Sequence, residues 1–280
     1  MFRRCDGFGW IAALLCAGLI AGCSRADAEG SAASPQELIV TAADFHFRAP
    51  KTVPAGLTRI RLHNEGPQPH HVQLVRLAPG HTYAELVREL SAGNFKLSWA
   101  TFVGGPEAPP VHGTTEATLL LEPGEYAMIC LVSLGDHVPH FAKGMALPLT
   151  VTAAVRPTTA EPTADVRIAL NEYGFDIAPE ISAGRHTIRV ENVGTQPHHL
   201  DFVRLGPGRT AAQALDWFRE MKGTPPDVSV GGTTALAPGI VNYVTVDFVR
   251  GDYALICFVP DSKDGRSHAR HGMLRQLSVQ

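Results

Sequence analysis

The chain carries one long pattern twice, and a duplication of that length sets the scale on which it folds. Leu62 to Thr82 runs LHNEGPQPHHVQLVRLAPGHT, and Val190 to Thr210 runs VENVGTQPHHLDFVRLGPGRT. Farther along, Gly124-Glu-Tyr-Ala-Met-Ile-Cys130 matches Gly251-Asp-Tyr-Ala-Leu-Ile-Cys257. His140-Phe-Ala-Lys-Gly-Met145 likewise matches His268-Ala-Arg-His-Gly-Met273. The offset is 128 residues at the Asn-x-Gly-x-Gln-Pro-His-His motif and 127 at the cysteines. A period this long is a whole domain, not a solenoid unit. With 280 residues, the chain has room for two such domains with separate cores.

Short apolar stretches interrupted by Gly and Pro predict that each domain is all-β. Leu38 to Thr41 and Thr58 to Asn64 alternate, and His71 to Leu77 is apolar enough for a buried strand. Thr115 to Leu121 and Glu125 to Leu131 flank Glu122-Pro-Gly, a hairpin signal, and Leu147 to Thr152 closes the half. One segment departs from this pattern. Thr82 to Ala92 places Ala84, Leu86, Val87 and Leu90 at helical spacing, with Thr82 as N-cap and Glu85 three residues on; Thr210 to Lys222 is its counterpart. The expected architecture is two tandem Greek-key β-sandwiches, each with one inserted helix. Their bounds are residues 37–153 and 166–280, joined by a Pro- and Thr-rich linker at 154–165.

Arg3 and Arg4 precede an apolar run from Phe8 to Ala21, which marks an export signal. The run is short for a membrane span, which needs about 20 residues. It ends in Ile20-Ala21-Gly22-Cys23, which resembles the bacterial lipobox. On that reading residues 1–22 are removed, Cys23 carries the lipid and residues 23–36 form a flexible tether. The expected location is the periplasmic side of a bacterial membrane, anchored through the lipid alone. Ser24 after the Cys points to the outer membrane in a Gram-negative cell. A net charge of -3 offers no argument for nucleic acid.

Once the signal is removed and Cys23 acylated, Cys130 and Cys257 are the remaining cysteines. They occupy matching places in the repeat, and each is followed by His and Met, which favours protected metal ligands over a disulfide. Imidazole, thiolate and thioether donors together suit copper, in a His2Cys arrangement with a weak axial Met. The candidate sets are His70, Cys130, His140 and Met145, and His198, Cys257, His268 and Met273. His137 and His271 are competing imidazoles in the same loops. His71 and His199 alternate to the opposite face from their neighbours, in supporting roles.

These motifs resemble those of cupredoxin domains, the blue-copper family of plastocyanin and azurin, over both halves. In that family an Asn-x-Gly turn precedes the first His ligand, a Tyr-x-x-x-Cys strand supplies the thiolate, and a His-x-x-x-Gly-Met loop completes the site. The resemblance implies one type 1 copper in each domain. The chain departs from the family where His71 and His199 stand in place of an Asn that helps hold the loops together. The expected function is one-electron transfer with redox partner proteins in the cell envelope. Copper capture or delivery without electron transfer, and a metal-free interaction module, are the alternatives. Copper nitrite reductases and multicopper oxidases place a His beside the type 1 Cys or use His-x-His pairs to bind catalytic copper; neither Cys here has a neighbouring His and no His-x-His pair occurs, so the resemblance implies no second catalytic copper and the chain is read as a non-enzyme.

Overall fold

Strands whose two faces meet different surroundings dominate the computed structural model, which describes residues 34–153, 159–220 and 225–280. The first half contributes β1 (Gln36–Ala43), β2 (His46–Arg48), β3 (Thr52–Pro54), β4 (Gly56–Asn64), β5 (Gln73–Leu77), α1 (Tyr83–Ser91), β6 (Ala100–Gly104), β7 (Thr114–Leu121), β8 (Gly124–Ile129) and β9 (Ala146–Thr152). The second contributes β10 (Val166–Asn171), β11 (Gly174–Ala178), β12 (Gly184–Asn192), β13 (His198–Arg204), α2 (Ala211–Glu220), β14 (Val228–Leu236), β15 (Val241–Phe248), β16 (Gly251–Ile256) and β17 (Leu274–Val279). The signal at 1–22, Cys23 and the tether up to residue 33 lie outside the described residues. So do linker residues 154–158 and the predicted end of the second helix at Met221 and Lys222. No helix among the described residues is long and apolar enough to cross a membrane.

Each half is a sandwich of two sheets, and both sheets continue across the halves. One sheet has the order β11-β10-β12-β15-β7-β4-β1-β2, the other β17-β16-β13-β14-β6-β5-β8-β9-β3. The joins are β7 with β15, through Ala117 opposite Val244, and β6 with β14, through Val103 opposite Leu236. The first sheet shows the alternation expected of a sheet with one solvated face. In β4, Thr58, Ile60, Leu62 and Asn64 are buried and the residues between them are not.

The second sheet is covered on both faces, which explains its near-continuous apolar strands. In β8, Tyr126 and Met128 point into the inter-sheet core with Leu38, Leu62 and Leu74. Ala127 and Ile129 point outward beneath Leu86 and Leu90 of α1. The second half repeats this arrangement: Tyr253 and Leu255 face inward, and Ala254 and Ile256 pack with Ala211 and Ala214 of α2. Period-2 alternation therefore delivers Cys130 and Cys257, the next inward positions, to the inner core. Helix α1 begins as its sequence predicts, with the Glu85 amide donating to Thr82 Oγ1 at 3.1 Å.

Close backbone approach holds β14 against β13 within the second half. Gly232 has φ of +140° and lies where an added Cβ would stand 2.0 Å from the Leu200 carbonyl oxygen. Gly232→Ala is therefore expected to destabilise the protein by more than about 2 kcal/mol, through both strain and the clash. A urea midpoint equal to that of the unsubstituted chain would contradict this account of the β13–β14 packing.

Candidate metal centres

Each sandwich gathers two imidazoles and one thiol at one end. Asn64 builds the turn that leads into His70: its Oδ1 accepts from the Gly66 amide at 2.9 Å and its Nδ2 donates to the Gln68 carbonyl at 2.8 Å. Asn192, Gly194 and Gln196 repeat both bonds at the same distances. Glycine is needed in this turn because the ring and a carboxylate pack on it. A Cβ at Gly66 would lie 2.5 Å from Asp44 Oδ1 and 3.0 Å from His70 Nε2. A Cβ at Gly194 would lie 2.7 Å from His198 Nε2 and 2.8 Å from Glu172 Oε1.

The other donors come from the loop after the Cys strand. In the first half, His140 opens a single 3-10 turn (His140–Lys143) that ends at Gly144, with φ of +107°. The Met145 amide then bonds the His140 carbonyl at 2.9 Å, and the Cys130 amide bonds the Met145 carbonyl at 3.2 Å. The turn His268–His271, Gly272, Met273 and Cys257 reproduce this closure. Met145 and Met273 are fully buried in the same inner cores as their cysteines.

Within the first cluster, His70 Nδ1 lies 3.1 Å from His140 Nδ1, and Cys130 Sγ lies 3.6 Å from His140 Nδ1. In the second, His198 Nδ1 is 3.0 Å from His268 Nδ1, and Cys257 Sγ is 3.5 Å from that nitrogen. All six residues are 0% exposed. The donors of each cluster lie within 4.8 Å of one another. Taking zinc as a guide to size, ~2.05 Å bonds to nitrogen and ~2.3 Å to sulfur across a tetrahedral angle give spacings of ~3.3 Å and ~3.6 Å. The donor spacing therefore fits a small metal ion, and the donor chemistry fits copper.

A carboxylate stands beside the first candidate ligand ring of each set. Asp44 Oδ1 lies 2.7 Å from His70 Nε2, which places the ring proton on Nε2 and turns the Nδ1 lone pair toward the cluster. Glu172 holds the corresponding position 3.5 Å from His198 Nε2. The residues next to these acids lie against the loop histidines. The Phe45 and His140 ring centroids are 4.8 Å apart, and those of Tyr173 and His268 are 5.4 Å apart. The acid-aromatic pairs Asp44-Phe45 and Glu172-Tyr173 are missing from the sequence reading, although the 128-residue offset aligns them.

The predicted site residues divide clearly in space. His140 and His268 join the clusters, while His137 is exposed in a left-handed conformation and His271 turns to Asp264, 3.1 Å away. His71 and His199 point away from the donors and toward a buried residue that the sequence reading also missed, Glu107. His71 Nε2 accepts from the Leu131 amide at 2.9 Å, and His199 Nδ1 accepts from the Phe258 amide at 3.1 Å. These rings thus tie down the residue that follows each Cys.

Burial dominates the protonation of the donors. It pushes both Cys130 and Cys257 up to about 12, against backbone amides of His71 and Val132, and of His199 and Val259, that favour the thiolate. It drives His140 and His268 down to about 4, with the neighbouring His70 and His198 adding to the effect. Neutral imidazoles are therefore ready to bind, whereas each thiol must lose its proton to a metal.

Two Greek-key sandwiches, each with a buried His, Cys and His cluster at one end, define the class: the fold is cupredoxin-like with two candidate metal centres. No protein-family model and no curated protein matches the chain. Solved structures similar to it include dithionite-reduced auracyanin from Roseiflexus castenholzii, 20% identical, with a TM-score of 0.30 over 43% of this chain and 98% of that one. A copper nitrite reductase from Nitrosomonas europaea is 13% identical, with a TM-score of 0.27 over 88% of this chain and 94% of that one. A blue copper oxidase from the same organism is 14% identical, with a TM-score of 0.25 over 87% and 85%.

The expectation of a non-enzyme meets a contrary finding among similar folds. Structures similar over most of its length include oxidases and nitrite reductases, which are enzymes by name.

The metal-free fold should be sensitive to acid. Burial lowers His70, His140, His198, His199 and His268, the second, fourth and fifth to about 4. A folded value below the unfolded one, about 6.5, means that the unfolded chain takes up protons first as pH falls. Stability is therefore full above about pH 6.5 and declines toward pH 4. The urea midpoint of chelator-treated protein should be lower at pH 5 than at pH 7.5, and equal midpoints would contradict the burial account.

Proposed function

We propose that the protein binds one copper in each domain and carries single electrons by cycling each ion between Cu(II) and Cu(I). The observation that supports this reading is the twofold convergence of two imidazole Nδ1 atoms, 3.0 to 3.1 Å apart, and a cysteine sulfur 3.5 to 3.6 Å from one of them, all fully buried. His70, Cys130, His140 and Met145 hold one ion, and His198, Cys257, His268 and Met273 hold the other. A His2Cys set with weak Met suits both oxidation states, so little rearrangement accompanies electron transfer.

Burial favours this reading over copper capture or delivery. A module that hands on its metal must expose a donor to the acceptor, and all six His and Cys donors are 0% exposed. Electrons can leave without opening the site. In the cell, a lipid on Cys23 anchors the protein at the periplasmic side of a membrane, where it exchanges electrons with envelope redox proteins. Substituting Cys23→Ala should release the mature protein from the membrane fraction, and retention would refute the anchor.

The copper-loaded protein should be intensely blue from thiolate-to-copper charge transfer. Cys130→Ala or Cys257→Ala alone should remove about half of the visible absorbance, and the double variant all of it. A copper-loaded chain that is colourless and redox-silent would refute electron transfer through these centres.

A further inference from the structure

His71 and His199 follow the first ligand of each centre, yet both turn to the same side chain. Glu107 lies between β6 and β7, 4% exposed, with its carboxylate in the seam between the halves. Its Oε1 lies 3.1 Å from His71 Nδ1 and accepts the Ala108 amide at 2.9 Å. Its Oε2 lies 3.4 Å from His199 Nε2, an ion-pair distance without a formed hydrogen bond. The far nitrogen of each ring accepts an amide hydrogen, from Leu131 or Phe258, so in a neutral ring the proton faces Glu107. Contacts therefore run from the residue after Cys130, through His71, Glu107 and His199, to the residue after Cys257.

The repeat does not supply a second carboxylate here. Thr234 stands at the position matching Glu107, and its hydroxyl donates to the Val72 carbonyl at 3.1 Å. One acid in the first half thus serves a histidine from each half. Asp44 and Glu172, by contrast, each face the ligand of a single centre. Nor do His71, Glu107 and His199 form a three-donor cluster like those of the two centres.

We infer that Glu107 is a positioning carboxylate common to both metal centres, orienting His71 and His199 against the two Cys loops and favouring the more positive oxidation state at both centres together. The inference rests on the copper chemistry proposed above. A negative charge in a buried setting is weakly screened, so its effect reaches both halves. Residues that orient or polarise ligands at one remove are typically worth 10- to 100-fold in metal affinity.

The test measures reduction potentials in the copper-loaded full chain, reading each centre alone in a Cys257→Ala or Cys130→Ala background. Glu107→Gln should weaken Cu(II) relative to Cu(I) about tenfold at both centres, which raises each potential by about 59 mV. Asp44→Asn should move only the first centre and Glu172→Gln only the second. Glu107→Asp, which keeps the charge, should shift both centres less than Glu107→Gln, and it carries the test if Glu107→Gln does not fold. In metal-free protein, Glu107→Gln should shift the amide resonances of both Leu131 and Phe258. A Glu107 variant that moves one centre or neither overturns the inference and leaves the copper reading standing. A parent chain that takes up no redox-active copper overturns both.

Discussion

Two imidazole nitrogens and a sulfur converge at one end of each sandwich in a space closed to water. Polar atoms so placed are costly to bury unless something compensates them. The two sheets, the Asn turn and the 3-10 turn all serve to bring three donors to one end of each sandwich. The sulfur reaches that end by strand alternation alone, since Tyr126, Met128 and Cys130 occupy successive inward positions. The imidazoles need loops. That difference explains why the Tyr-x-x-x-Cys spacing stays regular while the histidines arrive with turn-forming Asn, Gly and Pro.

The duplication has a structural consequence beyond a second copy of the site. Because β7 pairs with β15 and β6 with β14, each sheet runs through both halves, and polar side chains cross the seam. Gln73 Nε2 donates to the Ala235 carbonyl at 3.0 Å, and Asn242 Nδ2 donates to the Val103 carbonyl at 3.0 Å. A residue beside one centre is therefore in a position to act on the other. The copies have diverged at the seam: Gln73 in the first half corresponds to Asp201 in the second, a buried acid pushed well above the usual carboxylate range by burial and by Glu107.

The two centres are similar but not equal. The acid beside the first ligand sits 2.7 Å away in one half and 3.5 Å away in the other, and the aromatic ring over the loop histidine is Phe in one and Tyr in the other. Tyr173 also donates to Asp261 at 2.6 Å, a bond that Phe45 cannot make. A closer carboxylate favours the more positive state of any ion bound beside it. The duplicated fold therefore carries two candidate centres with the same residue types and different electrostatic surroundings.

Spacing along the chain encodes the local features of this protein. The repeat fixed two equivalent halves, period-2 alternation put both cysteines inside, and Thr82 with Glu85 marked the start of α1. Four candidate donors per half were legible for the same reason, since each motif is local. Tertiary structure decided the relations between distant segments. It selected His140 over His137, because the 3-10 turn directs one ring inward while a left-handed backbone leaves the other in solvent. It also set Asp44 against His70 across 26 residues and drew His71, Glu107 and His199 into one seam. Glu107 has no counterpart in the repeat, so no pattern in the chain pointed to it. Its place is set by the packing of two halves against each other, which spacing within either half does not encode.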